Sequence, residues 1–270
     1  PGKSTLKNDK PFYLQKRNII LIAGVLFGVI LGSFGQNILP KSEGINYKSI
    51  AVLPFENLSK DGEDEYFADG MTEDILTELS KIKDLLVISR TTIMKYKGTK
   101  KTIKEIGKEL GVANILEGSI RLSGNRVRIT GQLINALNDQ HLWAEKYDRD
   151  IEDIFSVQDE VANAIANALR IELSDEEARM ISTTQTESIE AYDYYIKGRT
   201  LSYFYEAQKN VEAIEYYKKA IEIDPQYSLP YAGISRVRMS QFTFQFMDQE
   251  FSSFALKEAE EFAKKAVLLG

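Results

Sequence analysis

Any chemistry in this chain has to be done without thiols and with one imidazole. The 270 residues hold no cysteine and a single histidine, His141. Disulfides, thiolate metal sites and His-pair zinc sites are therefore excluded. Three stretches hold residue types that could act. Pro1-Gly-Lys-Ser-Thr5 ends like a phosphate-binding loop, but such a loop needs an earlier glycine, a strand before it and a helix after it, and none is visible. Asn57-Leu-Ser-Lys-Asp-Gly-Glu-Asp-Glu65 is acidic but lacks the spacing of a calcium loop. Its acids suit the positive end of a following helix. Lys95, Lys97, Lys100 and Lys101 could meet phosphates or lipid head groups, although scattered lysines read as a solvated loop. No nucleophile–base pair, metal cluster or complete phosphate loop can be assembled. The expected chemistry is binding, with no catalytic residue, cofactor or metal.

The elements that would position a binding site lie between Lys48 and Leu173. Ser49-Ile-Ala-Val-Leu-Pro-Phe55 is an apolar run bounded by polar residues, the pattern of a strand buried on both faces. Leu85-Leu-Val-Ile88 repeats it. Between them Phe67, Met71, Ile75 and Leu79 recur at four-residue spacing, which makes one apolar helix face over about Tyr66 to Ile82. Thr102-Ile-Lys-Glu105 is a capping box, and Gly111 closes the short helix it starts. Ala113 to Leu122 and Arg126 to Ala136 read as a hairpin through Ser123-Gly-Asn125. His141 to Tyr147 follows as a third strand, with His141 and Trp143 on one face. A helix begins at about Ile154. The expected order is β-α-β-α-β-β-β-α, an α/β fold with a small mixed sheet. Ligands in open α/β sheets sit beyond the carboxyl ends of the strands. That makes Asn57 and Ser59, after the first strand, and Ser89 and Arg90, after the second, the candidate ligand residues. The competing reading is that Asn and Ser cap and turn the chain there.

Outside this region the composition changes. Residues 1–17 are basic, 18–40 carry no charge and 41–47 form a linker. The uncharged stretch is long enough for a transmembrane helix. Basic residues before it place the N-terminus in the cytoplasm and residues 41–270 outside, which for a bacterial inner membrane is the periplasm. Gly24, Gly28 and Gly32 recur at four-residue spacing and would form the face of a homodimer. A net charge of −6 argues against nucleic acid as a partner of this segment.

Several runs taken together resemble a known family. They are Ile50-Ala-Val-Leu-Pro-Phe-Glu-Asn57, Glu65-Tyr-Phe-Ala-Asp-Gly-Met-Thr-Glu-Asp74, Leu116-Glu-Gly-Ser119 and His141-Leu-Trp-Ala-Glu-Lys-Tyr-Asp-Arg149. In this order they resemble the domain related to the TolB amino-terminal domain, over residues 48–173. The resemblance implies an accessory sensing or interaction domain. It also implies a membrane span before the domain, tetratricopeptide repeats after it, and an upstream winged-helix or class III nucleotide cyclase domain. It brings no catalytic residues.

Residues 174–188 read as a second linker and 189–270 as an all-α region of truncated tetratricopeptide repeats. Gly198, Ala213, Tyr217, Ala220 and Pro225 fit the small-residue and aromatic positions of such a repeat. The same pattern predicts that the natural chain continues past Gly270 and that protein partners bind the repeats. The functional expectation is a membrane-anchored, non-catalytic module of a bacterial signalling protein. The alternative is the C-terminal region of a cyclase or of a winged-helix regulator.

Overall fold

The computed structural model describes residues 46–60, 64–183, 185–244 and 249–270. Six strands form one mixed sheet in the order β3-β1-β4-β5-β6, with β2 beside β4. They are β1 (Ser49–Val52), β2 (Glu56–Asn57), β3 (Leu86–Val87), β4 (Asn114–Ser123), β5 (Arg126–Asn135) and β6 (Gln140–Asp150). β1 is parallel to β3 and β4, while β4, β5 and β6 form an antiparallel meander.

The centre of the sheet is buried on both faces, as the apolar run at Ser49 requires. Ile50 and Val52 point into one core and Ala51 and Leu53 into the other. The larger core is closed by α1 (Glu65–Ser80) and α4 (Ile154–Ala168). Phe67, Met71, Ile75 and Leu79 all lie on the buried face of α1; burying each contributes about 1.5–3 kcal/mol. The smaller core is closed by α2 (Arg90–Ile93), a 3₁₀ turn at Met94–Tyr96, and α3 (Ile103–Leu110). α3 begins with the expected capping box: Thr102 accepts from Glu105 N, and Glu105 accepts from Thr102 N. It ends where Gly111 adopts φ 68°, a left-handed conformation that glycine takes without a Cβ clash.

The rest of the chain is helical: α5 (Asp175–Ile181), α6 (Ile189–Ser202), α7 (Ala207–Ile223), α8 (Ser228–Phe244) and α9 (Gln249–Leu269). α6 packs on α7, and α8 on α9. Tyr217 is fully buried among α6, α7 and α8. A Cβ at Gly198 would lie 2.9 Å from its ring, and one at Gly233 would lie 2.5 Å from it.

The fold class expected from the sequence is corrected in three respects. The sheet has six strands because Pro54, which has no N–H to donate, interrupts the first apolar run. Pairing with β4 resumes at Glu56 and Asn57, opposite Ser119 and Ile120. Next, the helical part is not a separate all-α region. Its residues Tyr192, Ile196 and Tyr217 belong to the same apolar core as Met71 and Val161. The tetratricopeptide assignment rests on the sequence pattern alone. Lastly, no helix among the described residues is long and apolar enough to cross a membrane. The expected span at 18–40, with Gly24, Gly28 and Gly32, lies outside the described residues.

Smaller differences have local causes. β3 is an edge strand, so Leu86 is 51% exposed rather than buried. The lysine-rich connection after it is not all loop, because Ile93 and Tyr96 are drawn into the smaller core. His141 and Trp143 do not share a face. A register shift places Trp143 opposite Leu133 and His141 opposite Ile134, which are adjacent on β5 and so point to opposite sides. Ser174-x-x-Glu177 is a second capping box, starting α5 within the stretch 174–188. Glu177 also accepts from Lys83 N at 2.9 Å.

Candidate functional site

The carboxyl end of β1 opens into a cleft of about 820 Å³. Its floor comes from the link between β1 and β2 and from α3: Leu53, Phe55, Ile103 and Ile106. One wall is the open face of β4 and β5, with Glu117, Ser119, Thr130 and Gln132. The other is the turn before α3, with Tyr96, Lys97, Thr99 and Lys101, joined by Glu65 at the start of α1. The cations of this rim are already neutralised. Lys97 lies 2.6 Å from both Glu65 and Asp69. Lys101 lies 2.6 Å from Glu109, which also accepts from Tyr96 OH at 2.9 Å. Gln132 donates to Glu117. The hydroxyls of Ser119 and Thr130 line the cleft. An apolar floor under hydroxyl, amide and neutralised charged groups suits a polar ligand without large net charge, held by a few directed hydrogen bonds.

The close approach of β5 to β4 shapes this wall. A Cβ at Gly118 would lie 2.4 Å from Thr130 O and 2.7 Å from the Phe55 ring. No other residue fits there without moving the strands, so Leu116-Glu-Gly-Ser119 has a packing reason for its glycine.

Of the four residues picked from the sequence, Ser59, Ser89 and Arg90 do not line this cleft. Asn57 lines the cleft, but its Oδ1 accepts from Ser59 N at 2.9 Å in a local turn. Ser59 Oγ accepts from Leu122 N at 2.9 Å and fixes that turn to β4. Ser89 precedes α2 with extended backbone and lies 3.1 Å from the Thr92 hydroxyl. Arg90 points elsewhere, to the contact between α1 and α6. Its Nε lies 2.9 Å from Glu73 Oε2 in an ion pair whose N–H is not aligned as a hydrogen bond. Its guanidinium sits 3.8 Å from the centre of the Tyr203 ring.

That contact holds the charged residues the sequence reading missed. Arg199 of α6 is 5% exposed. It donates to Asp74 Oδ1 at 2.7 Å and to the Gly70 carbonyl at 2.9 Å, and it lies 3.5 Å from Glu73. Burial disfavours its charge, but Asp74, Tyr195 and Glu73 more than restore it, and its pKa stays well above the ordinary value. Asp74 also accepts from Tyr192 OH and from Gln158 at 3.2 Å. Tyr203 OH donates to Glu73, and Tyr66 OH donates to Asp193 at 2.6 Å. The absent side chain of Gly70 leaves the room: a Cβ there would lie 3.2 Å from Ile196 and 3.3 Å from Arg199. The run Glu65 to Asp74 therefore serves as a socket for α6. The available signal was the pair Glu73-Asp74 beside Met71 and Ile75, two charges set against an apolar stripe.

A smaller cavity of about 330 Å³ lies beside this socket, lined by Asp74, Glu78, Phe155, Asp159, Tyr192 and Tyr227 among others. Burial pushes the Glu78 carboxyl up to about 7, although Lys81 donates to both its oxygens at 2.7 Å and pulls it down. Burial also raises Asp159.

Fold and site together define an α/β domain with helix pairs docked on it through a buried ion pair. Known proteins bear on parts of this chain. Residues 46–168 match the family described as "HilA/YgeH-like transcriptional regulator, second domain". A Rhizobium meliloti protein named "Putative adenylate cyclase 3" is 45% identical over 199 residues, covering 73% of this chain and 34% of that protein. The chain thus spans about a third of the length of this curated relative. Among solved structures, lipoprotein GNA1162 from Neisseria meningitidis is similar at TM-score 0.35 and 19% identity, over 44% of this chain and 97% of that one. TolB from Acinetobacter baumannii is similar at TM-score 0.34 and 19% identity, over 45% and 28%. The LpoB C-terminal domain from Salmonella enterica gives 0.32 and 15%, over 43% and 91%.

Proposed function

We propose that this chain is the non-catalytic sensing and interaction region of a signalling protein, with a nucleotide cyclase as its effector. The observation that carries the reading is that one helix serves two sites. The first residue of α1, Glu65, lines the cleft, and its middle residues Gly70, Glu73 and Asp74 hold α6. A ligand in the cleft and a partner on the helix pairs would thus act on the same rigid element. The cleft would take a small polar molecule or an extended peptide, and the docked helices would face a protein partner. Identity to a relative named as an adenylate cyclase supports the choice of effector. Attachment to a membrane belongs to the proposal through the uncharged stretch at 18–40.

The family match at residues 46–168 favours a second reading, in which the effector is a DNA-binding regulator. The test compares the 270-residue chain with the full natural protein that contains it. Each is supplied with ATP and a divalent cation, and cyclic nucleotide formation is followed. The expected result is product from the full protein and none from the 270 residues. Turnover by the 270-residue chain that one substitution in the α/β domain abolishes would overturn the non-catalytic reading. A full protein that makes no cyclic nucleotide but binds duplex DNA would favour the second.

A further inference from the structure

β6 ends the sheet. It is 11 residues long, β5 occupies one of its edges, and no strand among the described residues pairs with the other. Most of its side chains are exposed. An edge of this length offers a row of N–H and C=O groups to another strand.

Pairing of β6 with a second β6 about a two-fold axis allows few registers. Opposed residues must turn their backbone groups the same way, so one residue sits opposite itself on the axis. Charge then selects among the candidates. An axis at Glu145, Lys146, Asp148 or Arg149 sets like charges face to face. An axis at Trp143 or Ala144 joins no opposite charges. An axis at Tyr147 sets Lys146 opposite Asp148 and Glu145 opposite Arg149, each twice. The run Glu145-Lys-Tyr-Asp-Arg149 is therefore complementary to its own reverse.

We propose that a second copy of this chain docks on the free edge of β6, antiparallel about Tyr147, extending the sheet across both chains. The pairing supplies what the single chain lacks. Among the described residues Lys146 makes no ion pair, and Glu145 accepts only from Trp143 Nε1 at 3.3 Å and Tyr147 OH at 3.0 Å. Its neighbours are already partnered: Asp148 by Arg126 and Arg128, and Arg149 by Glu160 at 3.3 Å. A lysine in mid-edge ordinarily keeps strands apart; in this register each lysine meets an aspartate.

The chain has no cysteine, so introduced ones report without background. Opposed Cα atoms in an antiparallel pair, about 4.5–5.5 Å apart, lie within disulfide range. Lys146→Cys and Asp148→Cys chains, each of 270 residues in detergent, are oxidised separately and mixed. The expected result is covalent dimer from the mixture, formed at least tenfold faster than from either chain alone. A second arm uses charge. Glu145→Arg and Arg149→Glu should each weaken self-association at least tenfold, because each sets like charges opposite one another twice. Mixed together they should associate, because the mixed dimer restores both opposite pairs. Disulfide formation by either cysteine chain alone at the rate of the mixture would overturn the proposal. So would a dimer indifferent to both charge reversals, or a wild-type chain that stays monomeric at micromolar concentration.

Discussion

Replacing Arg199 by methionine should loosen the helix pairs from the α/β domain. The change removes two hydrogen bonds, to Asp74 and to the Gly70 carbonyl, and a longer ion pair to Glu73. Methionine fills much of the same space, so the loss is electrostatic rather than a cavity. Breaking a buried pair by removing one partner costs about 3–5 kcal/mol, because the remaining charge is left uncompensated. Here Asp74 keeps Tyr192 and Gln158 as donors, and Glu73 keeps Arg90 and Tyr203. The lower end of the range, about 3 kcal/mol, is therefore expected. For a folded body of this size that is a fall in Tm of about 6–12 °C. Thermal and urea unfolding measure it, and limited proteolysis shows whether α6 to α9 are released first. The double variant Asp74→Asn, Arg199→Met removes the stranded charge and should regain about half the loss. A shift below about 1 kcal/mol for the single variant, or a double variant whose loss is the plain sum of both singles, would refute the socket argument.

Two further outcomes follow from the same packing. The folded-state pKa of Glu78, about 7, lies above its ordinary value of 4.5, so the folded protein holds this proton longer than the unfolded chain does. Stability should then be greatest below pH 4.5 with respect to this group and decline as pH rises to 7. The decline is on the order of 3 kcal/mol at most. Glu78→Gln should flatten that slope between pH 5 and pH 8 in urea unfolding, and an unchanged slope would exclude Glu78 as its source. Gly118→Ala sets a Cβ against the Thr130 carbonyl, a backbone atom that cannot swing aside. It should cost about 1–3 kcal/mol in the same assay, whereas a neutral result would mean that β4 and β5 separate freely.

The sequence was legible where one local pattern settles the matter. The stripe from Phe67 to Leu79, the Thr102 capping box, the Gly111 stop and the hairpin at Ser123-Gly-Asn125 need only neighbours in the chain. What depends on distant partners was not. The extra strand at Glu56 arises because Pro54 cannot donate while Ser119 and Ile120 still accept a neighbour. The separation of His141 from Trp143 comes from a register shift that alternation cannot announce. Asn57, Ser59 and Ser89 stand close to strand ends, as expected, but their polar atoms are used in turns and strand attachment. Arg90 and Arg199 reach the same carboxylate, Glu73, from chain positions 109 residues apart. No spacing rule brings them together. The sheet could be drawn from the chain in outline, while the socket between α1 and α6 required the packed structure.

Tyr217 has a consequence of another kind. Its ring occupies the notch that two glycines, one on each neighbouring helix, leave open, at 2.9 Å and 2.5 Å from where their Cβ atoms would be. The three positions are thus one lock with a single key. A methyl group added at Gly198 or Gly233 is harmful while the ring is present, and trimming the ring alone leaves a void. Together the two changes can compensate. Neutral drift through this part of the chain must move by paired substitutions whose single steps are both costly. Across divergent sequences an aromatic at 217 should therefore accompany glycine at 198 and 233. A smaller residue there should appear with alanine or serine at one of them.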